Sequence, residues 1–241
     1  MPSYLVTGVN RGIGLALVHE WLKDPQNLVI GTVREPGQCA SIDTLLQEYP
    51  RDRFIALALD LAIRSTIDKL AETVAGLLPE SGLDYLIHNA AACSQKLTPF
   101  EHLDPDVLEE ELRVNTVAPL YLLQKLLPSV RKGSAKKILL LSSCMGSIQN
   151  APFFVGCTES YSITKAGINM IGRKWGALLK TEGITVVVVH PGWVDTEMGS
   201  YIDEWVTKNF PEQQNISAVQ AAEGTLKAVE FYMWDGTKLP W

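Results

Sequence analysis

The chain has 241 residues, of which 46% are apolar, and its formal net charge at pH 7 is −6. This length, without low-complexity linkers or internal repeats, predicts one α/β domain over residues 1–241. The acidic balance argues against a nucleic-acid-binding surface, and no apolar run reaches the ~20 residues that a membrane span needs.

The first residues, the cysteines and the histidines bear on compartment and metal chemistry. Met1-Pro2-Ser3 leads directly into an apolar run, which leaves no room for a signal peptide. The four cysteines contain no Cys-x-x-Cys pair and fit a reducing cytoplasm. The four histidines lie far apart in sequence. The sequence therefore predicts a cytoplasmic protein without a metal site.

The first predicted βα unit contains a glycine-rich turn. The short apolar strand Tyr4-Leu5-Val6 is followed by Thr7-Gly8-Val9-Asn10-Arg11-Gly12-Ile13-Gly14, and the apolar spacing becomes helical from Gly12. Glycine lets backbone approach a ligand, and the positive end of a helix attracts a pyrophosphate. The alternative is an ordinary βα turn. The strand-turn-helix setting favours dinucleotide binding, with contacts from Gly8, Asn10, Arg11, Gly12, Ile13 and Gly14.

The second predicted strand, Leu28 to Val33, ends at Arg34. In nucleotide-binding βαβ units, the residue about 20 positions after the glycine turn contacts the adenosine ribose. An acid there accepts from a free 2′-hydroxyl, whereas Arg34 would pair with a 2′-phosphate, and Arg11 adds a second cation. Each arginine by itself also fits a solvated surface position. Together they favour NADP(H) over NAD(H).

Two further predicted strands end in residues that suit a nucleotide. Phe54 to Leu59 is followed by Asp60, which is either an acceptor for an adenine amine or a cap of the next segment. Leu83 to His88 is followed by Asn89-Ala90-Ala91, whose small side chains let a nucleotide lie against the backbone. Asn89 is also expected to tie neighbouring strand ends together.

A long helix is predicted from Asp104 to about Arg131. Pro119 lacks an N–H group, so the carbonyl of Asn115, four residues earlier, loses its intrahelical donor. That carbonyl is then available to bind a water and to pass protons towards Lys165. The alternative is a tolerated proline kink without a catalytic role.

The main candidate for chemistry follows the fifth predicted strand, Lys137 to Leu141. Ser143 stands just after this strand, where it is placed to hold a carbonyl oxygen, and Tyr161 and Lys165 are i and i+4 on the next predicted helix. Bringing a phenol pKa from ~10 to about 7 takes roughly 4 kcal/mol, and one positive charge ~4 Å away supplies an effect of that order. Taken alone, this pair is a common helical spacing.

Ile184 to Val189 is a β-branched run typical of a central parallel strand, and Pro191-Gly192 turn the chain after it. His190 is interpreted as a packing residue at the strand end, and Thr196 as a hydrogen-bond partner for a carboxamide. Residues 193–216 mix apolar and charged positions, which predicts a short amphipathic lid over the pocket or, alternatively, a plain surface helix. The pocket wall is expected to include Phe153, Phe154 and Val155.

Ser217 caps a last predicted helix to about Glu230, and Phe231 to Trp234 is the last predicted strand. The alternation of strands and helices predicts an α/β fold of Rossmann type. This is a doubly wound, mostly parallel sheet of about six to seven strands with helices on both faces.

The motifs occur in the order known from one family. The Thr-Gly-x-x-x-Gly-x-Gly turn at Thr7 to Gly14 is followed by Asp60, Asn89-Ala90, Asn115, Ser143, Tyr161, Lys165 and Pro191-Gly192. Over essentially its full length the sequence thereby resembles the short-chain dehydrogenase/reductase family. The turn around Arg11, the Ser143 segment and Gly192-Trp-Val-Asp-Thr are similar to the sniffer-type carbonyl reductase and C-factor branch.

Two features depart from that family. His88-Asn89-Ala90-Ala91 stands where Asn-Asn-Ala-Gly is usual, and the interval from Ser143 to Tyr161 is longer than usual. The insertion leaves open which serine polarises the substrate, with Ser142 and Ser147 as alternatives to Ser143.

The resemblance implies an NADPH-dependent reductase of ketones, aldehydes or quinones, and the aromatic residues of the predicted lid indicate small apolar or aromatic substrates. It implies catalytic roles for Asn115, Ser143, Tyr161 and Lys165, and cofactor contacts also from Leu61, Tyr161, Lys165, Pro191, Gly192, Val194 and Thr196. Two alternatives are a nucleotide-binding sensor with little catalysis and a sugar epimerase, which the short segment after Thr196 disfavours. The expected partner is a small carbonyl compound, and the subunit count stays open between a homodimer and a homotetramer.

Overall fold

The computed structural model describes residues 1–225, 232–233 and 235. These residues form a sheet of seven parallel strands in the order β3-β2-β1-β4-β5-β6-β7. The strands are β1 (Ser3–Thr7), β2 (Leu28–Val33), β3 (Phe54–Ala58), β4 (Tyr85–His88), β5 (Lys137–Leu141), β6 (Thr185–His190) and β7 (Tyr232–Met233). The helices are α1 (Gly12–Leu22), α2 (Ala40–Glu48), α3 (Arg64–Leu77), α4 (Pro105–Leu112), α5 (Ala118–Lys132), α6 (Glu159–Leu179), α7 (Asp203–Asn209) and α8 (Ala218–Thr225).

Helices cover both faces of the sheet, as the sequence predicted. One apolar layer packs α3, α5 and α6 on the sheet through residues such as Leu70, Leu122 and Ile168. The other packs α1, α2 and α8 through residues such as Leu17 and Ile42. Strands buried on both faces are continuous apolar runs, which explains why the strands could be recognised from composition.

The strand order places a crevice at the carboxyl ends of β1 and β4. The chain winds from β1 to β2 and β3 on one side, and then continues from β4 on the other side of β1. In doubly wound sheets, ligands bind at this switch point. The predicted Rossmann-type fold is therefore confirmed, and the predicted nucleotide residues lie where the topology favours a ligand.

The predicted helix from Asp104 to about Arg131 is divided in the structure. Between α4 and α5, the segment Arg113–Val117 forms a π-helical turn, and the N–H of Ala118 donates to the carbonyl of Arg113. This wider turn lies just before Pro119, which lacks an N–H group for the regular helical bond. The sequence predicted a kink here, and the structure accommodates the proline by widening the helix.

Some elements at the edges differ from the prediction. Helix α2, which follows β2, was not predicted. The predicted last helix is described only as α8, and the predicted last strand only as β7; Glu230, Phe231 and Trp234 lie outside the described residues. No helix in the described part of the chain is both long and apolar enough to cross a membrane.

Candidate active site

The glycine-rich turn packs against the loop that follows β4. Gly8 has a φ of +72°, and a Cβ atom there would lie 2.9 Å from the Cβ of Ala90. A Cβ atom on Gly14 would lie only 2.2 Å from the carbonyl oxygen of Gly8. Glycine is therefore required at both positions, because backbone and the neighbouring loop occupy the space of a side chain.

The first turn of α1 is open towards the crevice. The helix begins at Gly12, whose φ is +58°, and its first turn carries no acidic side chain. Arg11 stands at the N-cap position, and its side chain makes no capping hydrogen bond to the N–H groups of this turn. Free N–H groups at the positive end of a helix suit an anion. The turn therefore fits the pyrophosphate of a dinucleotide in both shape and charge.

Asn89 ties the ends of β1 and β4 together, as predicted. Its Nδ2 donates to the carbonyl oxygens of Thr7 at 2.9 Å and Gly8 at 3.0 Å. Thr7 Oγ1 accepts from the backbone N–H groups of Asn89 and Ala90, and lies 3.2 Å from His88 Nδ1. Burial lowers the pKa of His88 to about 3, so its imidazole is neutral at pH 7. His88 is 1% exposed and therefore lies beneath the surface of the crevice.

Two polar residues predicted at the cofactor are engaged in local turns. Asp60 Oδ1 accepts from the N–H of Ala62 at 2.9 Å, which corresponds to the capping alternative. Thr196 Oγ1 accepts from the N–H of Gly199 at 3.0 Å and lies 3.3 Å from the carbonyl oxygen of Val194. Both side chains therefore help to shape the backbone around the crevice.

The two arginines expected at a 2′-phosphate lie in different surroundings. Arg34 is exposed directly after β2. Arg11 forms an ion pair with Glu197, with 61% and 56% of the two side chains exposed. The carboxylate of Glu197 partly balances the charge of Arg11, so Arg34 is the stronger candidate of the two.

Tyr161 and Lys165 lie on α6 beside the carboxyl end of β5. Lys165 is 2% exposed, and its Nζ donates to the carbonyl oxygen of Leu141 at 2.7 Å. The same Nζ lies 5.4 Å from the centre of the Tyr161 ring. The structure therefore brings the predicted phenol and ammonium together, with the ammonium held by the end of the strand.

The pKa values of Tyr161 and Lys165 differ from the prediction that the ammonium lowers the pKa of the phenol. Burial raises the pKa of Tyr161, and negative charge from Cys93, Cys144 and Glu111 would raise it further. Burial also lowers the pKa of Lys165 to about 8. The prediction that Lys165 lowers the pKa of Tyr161 is not met in this arrangement, because desolvation is the largest influence on both groups.

Asn115 connects the loop after β4 to α6. Its side chain accepts from the N–H of Ala92 at 2.8 Å and donates to the carbonyl of Ala92 at 2.7 Å. The same amide donates to Thr164 Oγ1 at 3.2 Å, and Thr164 donates to the carbonyl of Tyr161 at 2.7 Å. Asn115 is fully buried in the π-helical turn. Its side chain therefore organises the site, in addition to any role of its backbone carbonyl.

The three candidate serines are used differently. Ser142 Oγ donates to Asn169 Oδ1 at 2.6 Å, so this hydroxyl is directed into α6. Ser147 is 1% exposed and its Oγ lies 3.3 Å from the N–H of Asn150. Ser143 Oγ accepts from the N–H of Met145 at 3.2 Å, and its hydroxyl also lies within hydrogen-bonding reach of the Cys144 thiol. Ser143 is 7% exposed, against 3% for Ser142. Ser142 is bonded to α6 and Ser147 is almost fully enclosed, so Ser143, the most exposed of the three, is the best placed to meet a substrate.

The insertion between Ser143 and Tyr161 reaches the segment after β6 through aromatic side chains. The rings of Phe154, Trp205 and Phe210 form a cluster with centroid distances of 5.7 to 6.2 Å. Phe153 and Val155, in contrast, are 67% and 72% exposed. Of the three residues expected in the pocket wall, Phe154 is the one whose ring meets α7, and the place of all three in the pocket wall stays a prediction.

Residues 3–207 match the short chain dehydrogenase family. The chain belongs to this family. The short-chain dehydrogenase RED3 of Pyricularia oryzae is 31% identical over 256 residues, which cover 99% of this chain and 98% of the relative. The protein is accordingly an NAD(P)-dependent short-chain oxidoreductase, as its sequence motifs predicted.

Solved structures of carbonyl reductases resemble this short-chain dehydrogenase along its whole length. The carbonyl reductase Sniffer of D. melanogaster has 27% identity and a TM-score of 0.86, with all of both chains covered. An NADPH-bound carbonyl reductase from chicken fatty liver has 28% identity and a TM-score of 0.87, covering 100% of this chain and 94% of the other. The predicted resemblance to sniffer-type carbonyl reductases is confirmed.

Two buried residues of this short-chain dehydrogenase were missed by the sequence analysis. Asn169 binds the loop after β5 with both ends of its amide. Glu111 is 1% exposed, and its Oε1 accepts from the N–H groups of Ser94 and Gln95. Each lies four residues from a predicted site residue on the same helical stripe, Asn169 after Lys165 and Glu111 before Asn115. Spacing of i and i+4 is the pattern that would have identified them.

The described residues contain no group of three His, Cys, Asp or Glu side chains arranged to hold a metal ion. Two half-buried cysteines near Tyr161 have raised pKa values, about 12 for Cys93 and about 11 for Cys144, because loss of solvent around the sulfur disfavours the thiolate. Such thiols are weak nucleophiles at neutral pH. The polar groups of this site therefore support proton donation by the phenol rather than thiolate chemistry.

Proposed function

We propose that this short-chain dehydrogenase is an NADPH-dependent carbonyl reductase in the cytoplasm. Its substrates are small apolar or aromatic ketones, aldehydes or quinones. The observation that carries the proposal is the placement of Tyr161 and Lys165 beside the end of β5, the strand that leads to Ser143. The names of two similar solved structures, both carbonyl reductases and one of them NADPH-bound, support it.

The cofactor site is assigned to the crevice at the ends of β1 and β4. The N–H groups at the start of α1 bind the pyrophosphate, and the glycines leave room for it. Arg34 pairs with the 2′-phosphate of the adenosine ribose, which selects NADPH over NADH. The remaining contacts come from Gly8, Asn10, Arg11, Gly12, Ile13, Gly14, Asp60, Leu61, Asn89, Ala90, Tyr161, Lys165, Pro191, Gly192, Val194 and Thr196.

Bound NADPH supplies the hydride that reduces the carbonyl carbon. Ser143 donates a hydrogen bond to the carbonyl oxygen, and Tyr161 gives that oxygen a proton as negative charge develops on it. The raised pKa of Tyr161 keeps the phenol protonated at neutral pH, which is the state that a reductase needs. Lys165 would hold the hydroxyls of the nicotinamide ribose when the cofactor is bound.

The carbonyl of Asn115 holds a water that resupplies the proton through Lys165. The position of Asn115 in a π-helical turn beside α6 supports this role, since such turns are frequent at functional sites. Residues 193–216 form a lid of the single domain over the substrate. The ring cluster of Phe154, Trp205 and Phe210 supports an apolar or aromatic substrate.

The decisive test replaces the phenol. Tyr161→Phe should lower kcat by about 10²-fold to 10⁴-fold, the usual contribution of general acid catalysis, while the NADPH dissociation constant stays within about threefold. The measurement follows NADPH and NADH oxidation with a panel of ketones, aldehydes and quinones. Tyr121→Phe is the matched control, since Tyr121 lies on α5 and donates to Asp68.

Substantial residual reduction by Tyr161→Phe would reject the phenol as the acid. Binding of NADPH without oxidation in the presence of any compound of the panel would instead indicate a nucleotide sensor. Equal turnover with NADH would remove the proposed role of Arg34.

A further inference from the structure

Helix α6 presents three polar residues to the active site at intervals of one turn. Tyr161, Lys165 and Asn169 are spaced by four residues, so their side chains leave the same face of the helix. The proposed mechanism uses the first two. Asn169 is 5% exposed, and both polar atoms of its amide form hydrogen bonds, as is expected of a polar group in the interior.

Asn169 binds the loop after β5 at two points. Its Oδ1 accepts from Ser142 Oγ at 2.6 Å, and its Nδ2 donates to the carbonyl of Gly146 at 3.0 Å. Ser142 and Gly146 lie on either side of Ser143 in the chain. One amide therefore fixes the loop before and after the serine that is proposed to bind the substrate.

The backbone of the loop after β5 packs so closely on the backbone of α6 that position 146 has no room for a side chain. A Cβ atom on Gly146 would lie 2.6 Å from the carbonyl carbon of Lys165 and 2.8 Å from the N of Ala166. At the other end of the loop, Lys165 Nζ donates to Leu141. The segment that carries Ser143 is thus attached to α6 by the turn that also carries Lys165 and Asn169.

We propose that Asn169 is a positioning residue that holds Ser143 at the correct distance from Tyr161. This inference rests on the proposed function, because it assumes that Ser143 binds the substrate carbonyl. An amide is the group that fits both bonds, since it offers one acceptor to the Ser142 hydroxyl and one donor to the Gly146 carbonyl. A small displacement of a positioned group costs turnover, while cofactor binding at the ends of β1 and β4 is unaffected.

The test is a double-mutant cycle on kcat with Asn169→Ala and Ser143→Ala. Each single variant should lower kcat by at least about tenfold, with an unchanged NADPH dissociation constant. In the Ser143→Ala background, Asn169→Ala should lower kcat by less than about twofold, because the serine it positions is already absent. Asn27→Ala is the matched control: Asn27 is also 5% exposed and donates to the carbonyl of Trp21 at 2.9 Å, far from the site. It should lower the melting temperature without changing kcat.

A second variant keeps the test independent of folding. Asn169→Asp preserves the shape of the side chain but turns a carboxylate oxygen towards the Gly146 carbonyl. Its kcat relative to wild type should recover as the pH falls, since the protonated acid regains a donor. A purely structural role would not produce this pH-dependent rescue.

The outcomes distinguish the two proposals. Additive losses in the cycle, or a ratio of kcat values for Asn169→Asp that is independent of pH, would overturn the positioning role and leave the reductase proposal intact. Full activity of Ser143→Ala would overturn the assignment of the serine and, with it, the role of Asn169. Loss of NADPH binding in Asn169→Ala would likewise contradict the inference.

Discussion

The proposed cofactor half and the proposed substrate half of the crevice are built by different kinds of contact. Around β1 and β4, backbone lies directly against backbone, as where a Cβ atom on Gly14 would lie 2.2 Å from Gly8. After β5 and β6, side chains bridge loops that are far apart in sequence, as in the ring contact of Phe154 with Trp205. The backbone contacts around β1 and β4 tolerate almost no substitution. The side-chain contacts after β5 and β6 can change with the residues that make them, which permits different substrates.

The largest expected effect on NADPH affinity comes from breaking the close backbone contact. Gly14→Ala places a methyl group inside the van der Waals distance of Gly8 O, and also 2.6 Å from Asn89 Nδ2. Overpacking of this kind costs about 1–3 kcal/mol or more, so NADPH affinity should fall by about 10-fold to 100-fold or be lost. Titration of the protein with NADPH measures this affinity. Gly37→Ala is the control, since a Cβ atom there meets no atom within 4 Å. Wild-type affinity in Gly14→Ala would show that the turn is not the cofactor site.

Lys165 lies between the two halves, and its expected effect is on the stability of the fold and depends on pH. Its pKa is about 8 in the folded chain and 10.5 when unperturbed, so between these pH values the unfolded chain binds more protons. The stability of wild type relative to Lys165→Met should therefore rise with pH across this window, by roughly 3 kcal/mol in total.

Denaturant unfolding of both proteins at pH 7.5, 9 and 10.5 measures the difference in their free energies of unfolding. Between the two pKa values this difference should change by up to ~1.4 kcal/mol for each pH unit. Lys69, which is exposed on α3, serves as the control in Lys69→Met. A stability difference between wild type and Lys165→Met that is constant with pH would contradict the burial argument.

The smallest effect is expected in the substrate half. Phe154→Ala removes two tilted ring contacts, each worth about 0.5–1.5 kcal/mol, from a partly exposed cluster. The KM for aromatic carbonyl substrates should rise about 3-fold to 10-fold, with little change in kcat or in NADPH affinity. Phe153→Ala is the control, because this side chain is 67% exposed. If both variants behave alike, the ring cluster does not contribute to the pocket.

Much of the cofactor half could be predicted because its requirements are local. Three glycines within one turn, an apolar strand before them and a helical stripe after them are enough to place β1 and α1. Asn89 could be assigned to neighbouring strand ends because parallel strands finish at the same edge. The spacing of Tyr161 and Lys165 similarly predicts their common face.

The rest depended on contacts that a single sequence does not contain. Phe153 and Phe154 are adjacent and chemically identical, yet only Phe154 meets α7, since the direction is set by short helical turns in the insertion. The pairing of Arg11 with Glu197 joins residues 186 positions apart. The desolvation that raises the pKa of Tyr161 depends on the layers packed around it, and no local pattern expresses that burial.

The ion pair of Arg11 and Glu197 has a consequence for how the crevice is filled. It crosses from the glycine-rich turn to the segment after β6, and both groups face water. An exposed pair of this kind is weak and is screened by salt. If the crevice takes the cofactor as proposed, a phosphate oxygen that reaches Arg11 replaces Glu197 as its counter-ion, so nucleotide binding releases this contact with the segment after β6.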